Sequence, residues 1–228
     1  MSGHDEAAKA LFDAELNRRQ IGLLSKQHAD WAMDDAYAVQ AALVKRKLTS
    51  GRRVIGWKIG LTSKAMQDAL NINTPDSGVL FDDMLFEHGA TVPKGHYIQP
   101  RIEAEIAFVM KLDLSGPDCT REAVIAATGY VTPSLEILDT RILRVDPVTK
   151  ATRTIVDTIS DNAANAGIVL GRERHAPNDF DLRWAGAILK RNGEVDETGF
   201  GAGVLDDPVS AIAWLANRLA QYGEHIGT

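Results

Sequence analysis

Arg101-Ile102-Glu103-Ala104-Glu105-Ile106-Ala107-Phe108 places two acids inside an apolar, strand-forming run. Its composition predicts a buried strand. Residues two apart on a strand share a face, so Glu103 and Glu105 point the same way, roughly 6–7 Å apart at their backbones. Ile102, Ala104 and Ile106 take the opposite face. Two neighbouring carboxylates repel each other and are costly to bury without a partner. A half-exposed edge strand with each Glu paired to a Lys or Arg would meet that cost. A divalent cation would meet it too, and hard oxygen donors suit Mg2+ or Mn2+.

A third acid favours the cation. Glu136 lies in Val131-Thr132-Pro133-Ser134-Leu135-Glu136-Ile137-Leu138, a second strand-like run. Three carboxylates from two strands supply one face of an octahedral site and leave positions for water or a chelating substrate.

Three further segments carry candidate chemistry. Arg53 to Ile59 is the first clear strand, with Lys58 between Trp57 and Ile59. Such a lysine either carries its head out to water or aims a cation at a substrate carboxylate or a developing negative charge. Asp76 precedes Ser77-Gly78, a composition that also suits a plain turn. Thr140 to Asp157 is polar and holds Arg141, Arg144, Lys150 and Arg153. It reads as a solvated connection, or as a lid, or as a source of the cation for a second substrate carboxylate, with Arg141 the candidate for that role.

Apolar periodicity predicts helices from about Glu6 to Leu24 (Leu11, Ala14, Leu16, Ile21) and from about Asp34 to Leu48 (Ala38, Ala41, Ala42, Leu48), the second stopped by Ser50-Gly51. Thr62 or Ser63 caps a short helix through Leu70, and Asn71 to Pro75 is turn-rich. Leu85 to Val92 reads as short strands, and Thr120 caps a helix to about Ala127. Asp157 to Gly167 is rich in small and amide residues, which permit close backbone approach to a ligand, and leads into a strand from Ile168 to Leu170. Leu182 to Arg191 is a strand turned back by Asn192-Gly193. Pro208 to Tyr222 closes the pattern as a helix with Ile212, Leu215 and Leu219 on one stripe. Many short strands and few helices predict an α+β fold. The expected division is a helical segment over 1–50 and a metal-binding, β-rich catalytic domain over 51–228, one globular unit overall.

Composition bounds the function. The 228 residues are 45% hydrophobic and 25% charged, ordinary values for one soluble domain. The net charge of −6, with no basic block, argues against nucleic acid or an anionic membrane as partner. No apolar run reaches the length of about eighteen residues that marks a transmembrane helix. The N-terminus lacks a secretory pattern, and the single Cys119 cannot form an internal disulfide, so a reducing cytoplasm fits. No phosphate-binding glycine loop and no zinc-like histidine spacing occur.

R-I-E-A-E-I-A-F, P-S-L-E-I-L-D and D-T-I-S-D-N-A-A-N-A-G-I-V-L-G, with G-W-K-I-G-L-T-S-K-A-M-Q and P-D-S-G-V-L upstream, resemble the hydratase and decarboxylase branch of the fumarylacetoacetate hydrolase superfamily. The resemblance runs from roughly Asp34 to Tyr222. It implies a mixed β-roll with N-terminal helices and Mg2+ or Mn2+ on Glu103, Glu105 and Glu136. It makes Lys58 and Asp76 catalytic and substrate-binding residues. The implied reaction is hydration of 2-hydroxyhepta-2,4-dienedioate to 4-hydroxy-2-oxoheptanedioate in aromatic-compound breakdown. Alternatives within the branch are decarboxylation of a 2-oxo-3-enedioate such as 4-oxalocrotonate and hydration of the mono-acid 2-hydroxypenta-2,4-dienoate. A chain acting as an inactive assembly partner of a decarboxylase is the non-enzymatic alternative. The resemblance further implies a ring-like homo-oligomer, association with a decarboxylase, and more strands beyond Thr228 with a pocket motif of Ser, Thr, Arg and Pro.

Overall fold

Ser2 sets the first helix. Its hydroxyl accepts the Asp5 N–H at 3.3 Å, and Asp5 and Glu6 favour the positive helix end of α1, Gly3–Asn17. In this computed structural model, which describes residues 2–69 and 72–228, α1 stops at Asn17 because Arg18 takes a left-handed backbone (φ 50). The helix predicted to Leu24 is therefore shorter. Ile21 instead forms a parallel bridge with Ile142, and its N–H donates to the Arg141 carbonyl at 2.8 Å. A short helix α2, Leu24–Gln27, precedes α3, Met33–Thr49. Ser50 and Gly51 (φ +97) end α3 where the sequence places the stop.

Helices α1 and α3 pack through Ala7, Ala8 and Leu11 against Val39 and Leu43, with Leu23, Leu24 and Ile142 completing the cluster. The apolar stripe predicted for α3 is out of phase. Ala38, Ala41 and Leu48 face solvent, and the buried row is Ala36, Val39, Gln40, Leu43 and Lys47. Lys47 is admitted to the interior because Glu15 on α1 receives its ammonium at 2.6 Å. A charged residue here does not mark the solvent face.

Strand β1, Val54–Gly60, pairs antiparallel with β2, Asp76–Phe81. Between them lies α4, Lys64–Ala69, whose Met66 N–H is accepted by the Ser63 hydroxyl at 3.4 Å. Leu70 and Asn71, the expected helix end and turn start, lie outside the described residues. Of the segment from Leu85 to Val92, only β3, Leu85–Phe86, is strand. Then follow β4 (Arg101–Met110), α5 (Arg121–Ala127), β5 (Thr128–Leu138), α6 (Ile155–Ser160) and β6 (Asn165–Leu170). Thr120 caps α5 by accepting the Ala123 N–H at 3.2 Å, as its position predicts. The order β3-β6-β5-β4 makes β4 an edge strand, and Arg101 to Glu105 are exposed, Ile102 included. The strand read as buried is therefore open at its first half. Alternation fixes which side chains share a face, not what covers that face.

The last part of the chain forms a hairpin of β7 (Gly186–Arg191) and β8 (Glu194–Phe200), then α7 (Pro208–Ala220). Asn192 and Gly193, both at positive φ, make the expected two-residue turn. Leu182 to Trp184 is a 3-10 turn, so the strand there starts later than predicted. Asp207 caps α7 and accepts the Arg121 Nε at 2.7 Å.

The fold is α+β. The chain divides into two compact units, one of Met1–Gly60, Asp76–Glu103 and Glu136–Ile168, the other of Leu61–Pro75, Ala104–Leu135 and Val169–Thr228. Among the described residues, no helix is long and apolar enough to cross a membrane.

Candidate metal centre

The β1–β2 register places Lys58 opposite Gly78 and Asp76 opposite Gly60. Lys58 and Asp76 are thus diagonal neighbours on one face, each with a glycine across from it. Both glycines are required by space. A Cβ on Gly60 would stand 2.2 Å from Asp76 Oδ1 and 3.0 Å from Lys58 Nζ. One on Gly78 would stand 2.7 Å from the Asn162 carbonyl oxygen. Neither glycine stands out by composition. The signal that could have found Gly60 is its pairing position opposite an acid in a strand that also carries a lysine.

Lys58 Nζ lies 3.4 Å from Glu136 Oε1. That is an ion-pair distance, but a poor hydrogen bond. Glu136 Oε1 is accordingly buried without a hydrogen-bond partner among the described residues, as is Asp76 Oδ1. Burial pushes the Asp76 carboxyl above its ordinary pKa. Lys58 and Arg153 oppose that rise, and Glu103 adds to it. Burial raises Glu136 in the same way, again opposed by Lys58 and reinforced by Glu103.

Glu103, Glu105 and Glu136 each offer a carboxylate oxygen, and these oxygens all lie within 4.8 Å of one another. Glu103 and Glu105 share a face along the continuous strand β4, and Glu136 comes from its neighbour β5. The donor set fits a divalent cation. It is all hard oxygen, and it includes a buried anionic oxygen that the protein leaves without a hydrogen bond.

The segment after α6 holds β2, the strand that carries Asp76. Asn162, Ala163 and Ala164 are consecutive residues in the left-handed region, with φ of 52, 53 and 57. Such a run costs roughly 1–2 kcal/mol per residue and persists only where the surroundings over-determine it. Here they do. The Asn162 side chain accepts the Val79 N–H at 2.8 Å and donates to the Val79 carbonyl at 2.9 Å, standing in for a strand neighbour of β2. Asn165 donates to the same carbonyl at 3.1 Å, and Gln40 holds the Ser77 carbonyl at 2.8 Å. The small and amide residues from Asp157 to Gly167 thus grip the strand that carries Asp76.

Arg141 is placed differently from the substrate-facing position proposed for it. It is 2% exposed, and Asp161 Oδ1 accepts its Nε at 2.5 Å. Its other nitrogens donate to the carbonyls of Asp161 and Asn165 at 2.6 and 3.0 Å. The guanidinium is committed to holding the left-handed turn. A depression of about 450 Å³ elsewhere, lined by Pro117, Asp118, Asn217, Ala220 and Gln221, offers one carboxylate with no companion.

No protein-family model matches the chain. It is 49% identical over 219 residues to a 2-oxo-hept-4-ene-1,7-dioate hydratase of Escherichia coli, covering 96% of this chain and 82% of that one. It is 40% identical over 220 residues to a 2-hydroxypent-2,4-dienoate hydratase of Pseudomonas putida, covering 96% of both. In structure it matches 4-oxalocrotonate decarboxylase from Pseudomonas putida G7, complexed with magnesium and adipate. That match has a TM-score of 0.90 and 36% identity, over 99% of this chain and 83% of the other. The chain belongs to the hydratase and decarboxylase branch of the fumarylacetoacetate hydrolase superfamily.

Proposed function

We propose that this chain is a divalent-metal-dependent hydratase converting 2-hydroxyhepta-2,4-dienedioate to 4-hydroxy-2-oxoheptanedioate in the breakdown of aromatic compounds. The observation that carries the reading is the cluster of three carboxylates beside Lys58 and Asp76. The relative at 49% identity, a hydratase by name, selects the substrate. In this reading residues 1–50 are a supporting helical segment and residues 51–228 the catalytic domain.

Glu103, Glu105 and Glu136 are the residues that would hold Mg2+ or Mn2+. When bound, the cation supplies a Lewis acid for the carboxylate and 2-oxygen of the substrate. The remaining work falls to the chain's own groups. The 2-hydroxyl gives up its proton and C5 gains one, which moves the double bond to C3–C4 and leaves a 2-oxo-3-enoate. Water oxygen then adds to C4, and its proton goes to C3. Lys58 and Asp76 are the groups that move these protons or orient the water. Their shared face brings an ammonium and a buried carboxyl of raised pKa to one place. Gly60 leaves room for both, and Gly78 leaves room for the Asn162 carbonyl behind β2.

The decarboxylase reading is kept because the structural likeness to 4-oxalocrotonate decarboxylase is high. Assembly as a homo-oligomer, association with a decarboxylase and a cytoplasmic setting belong to the same proposal. The test is an ultraviolet assay with Mg2+ on 2-hydroxyhepta-2,4-dienedioate, followed by product mass. Loss of the dienol absorbance with the gain of one water supports the hydratase. Loss of carbon dioxide from 4-oxalocrotonate, with no hydration, replaces it by the decarboxylase.

A further inference from the structure

A substrate with two carboxylates needs a second anion site, and with Arg141 committed to Asp161 the connection between β5 and α6 supplies other cations. Val145 and Thr152 form an antiparallel bridge there. The Arg153 N–H donates to the Arg144 carbonyl at 3.0 Å, so these two arginines are cross-strand neighbours. Arg153 Nη1 donates to the Thr140 hydroxyl at 3.1 Å. Arg144 Nε reaches Gln99 Oε1 at 3.3 Å. The backbone N–H groups of Ile98 and Gln99 are themselves fixed on the Asp139 carboxylate, at 2.8 and 2.6 Å. Asp139 therefore anchors the lead into β4, and Arg101 follows two residues later. By strand alternation Arg101 shares a face with Glu103 and Glu105, one step of roughly 6–7 Å from Glu103.

Two observations point to an absent anion. Arg144 Nη2 is buried and has no hydrogen-bond partner among the described residues. Like charges also crowd here. Burial, then Arg153 and Arg101, hold Arg144 below the usual guanidinium range. Arg153 is lowered by burial and by Arg101, while Asp161, Asp157 and Asp76 pull it up. A buried guanidinium N–H without an acceptor costs free energy that a carboxylate would recover, and the guanidinium fork matches a carboxylate in shape.

Resting on the hydratase reading above, we propose that Arg101, Arg144 and Arg153 form the subsite for the far carboxylate of the substrate and set the preference for diacids over mono-acids. The test compares wild type with Arg144→Met, Arg153→Met and the surface variant Arg101→Met, which leaves the interior intact. Turnover of 2-hydroxyhepta-2,4-dienedioate and 2-hydroxypenta-2,4-dienoate is measured with Mg2+. Binding of adipate and of its mono-acid counterpart hexanoate is measured by calorimetry. Each variant is expected to lose about tenfold or more of the diacid preference, mainly through KM, with the adipate preference falling in parallel. Arg144→Lys should recover part of it. Equal losses on diacid and mono-acid, or an unchanged adipate preference, overturn the proposal. Wild type that hydrates neither acid, yet binds adipate over hexanoate until Arg144 is replaced, sinks the hydratase reading and leaves the subsite standing.

Discussion

At Gly60 a single hydrogen atom decides whether Lys58 and Asp76, the pair proposed to move protons, fit side by side. Asp76 Oδ1 and Lys58 Nζ both stand close to where a Cβ on this residue would lie, and Asp76 is 1% exposed, so its carboxylate has little room to retreat. Gly60→Ala therefore has to move Asp76, Lys58 or the β1–β2 pairing. A displacement of about 1 Å at a reacting group costs roughly a hundredfold in rate. The expected outcome is a fall in kcat of that order with a small change in thermal midpoint, checked by steady-state kinetics beside a melting curve. Wild-type kcat in Gly60→Ala would mean that Lys58 and Asp76 do not act from these positions. The sequence made Lys58 and the three glutamates legible, because an acid or a base inside a strand-like run is conspicuous, whereas Asp76 reads by composition as a turn former and is marked only by the family resemblance. It did not reveal Gly60, whose role depends on a partner sixteen positions away, nor the commitment of Arg141 to Asp161.

At the scale of elements, the strands bearing Lys58, Glu103 and Glu136 could be read from alternation, and caps such as Thr120 from local chemistry. The phase of α3 could not. Its buried row includes Lys47, 1% exposed, and a lysine is admitted only where a partner waits on another helix. That partner, Glu15, also receives Arg52 at 3.0 Å. Burial works against the Glu15 charge, but Lys47, Arg141 and Arg52 together hold its pKa below the ordinary value. Glu15→Gln should therefore cost about 2–3 kcal/mol at pH 7, less than the loss of a fully buried pair because Glu15 keeps some contact with water. Lys47→Met should cost less, since it removes the buried charge along with the pair. The sign with pH follows. A carboxylate whose folded pKa is depressed stabilises the fold above its unfolded pKa, about 4.3, and loses that contribution as pH falls through the lower folded value. Urea midpoints of wild type and Glu15→Gln should differ fully at pH 7 and converge in acid. A gap that persists unchanged at the acid end would show that the Glu15 charge is not what stabilises the α1–α3 seam.

For the whole molecule, the three carboxylates make stability depend on what is bound. Without a cation, Glu103, Glu105 and Glu136 repel one another, and Glu136 is buried with an oxygen that accepts no hydrogen bond. A ligand that binds only the folded state at a hundred times its Kd adds about 2.7 kcal/mol. At about 2–4 °C per kcal/mol for a chain of this size, that is a rise of about 5–10 °C in Tm. Wild type should show such a rise with Mg2+ or Mn2+, and not with KCl at matched ionic strength, which reports charge screening alone. Glu136→Gln should behave differently. Its metal-free Tm should stay near that of metal-free wild type, because the repulsion from Glu103 and Glu105 is lost together with the Lys58 ion pair, and the divalent shift should vanish. These two results together separate a metal site from a mere acidic surface. An acidic surface would respond to KCl as well, and removing one of its charges would leave part of the divalent response. A divalent shift that survives in Glu136→Gln would place the cation elsewhere. The same experiment needs no substrate and no turnover, so it judges the ligand set independently of whether the reaction is hydration or decarboxylation.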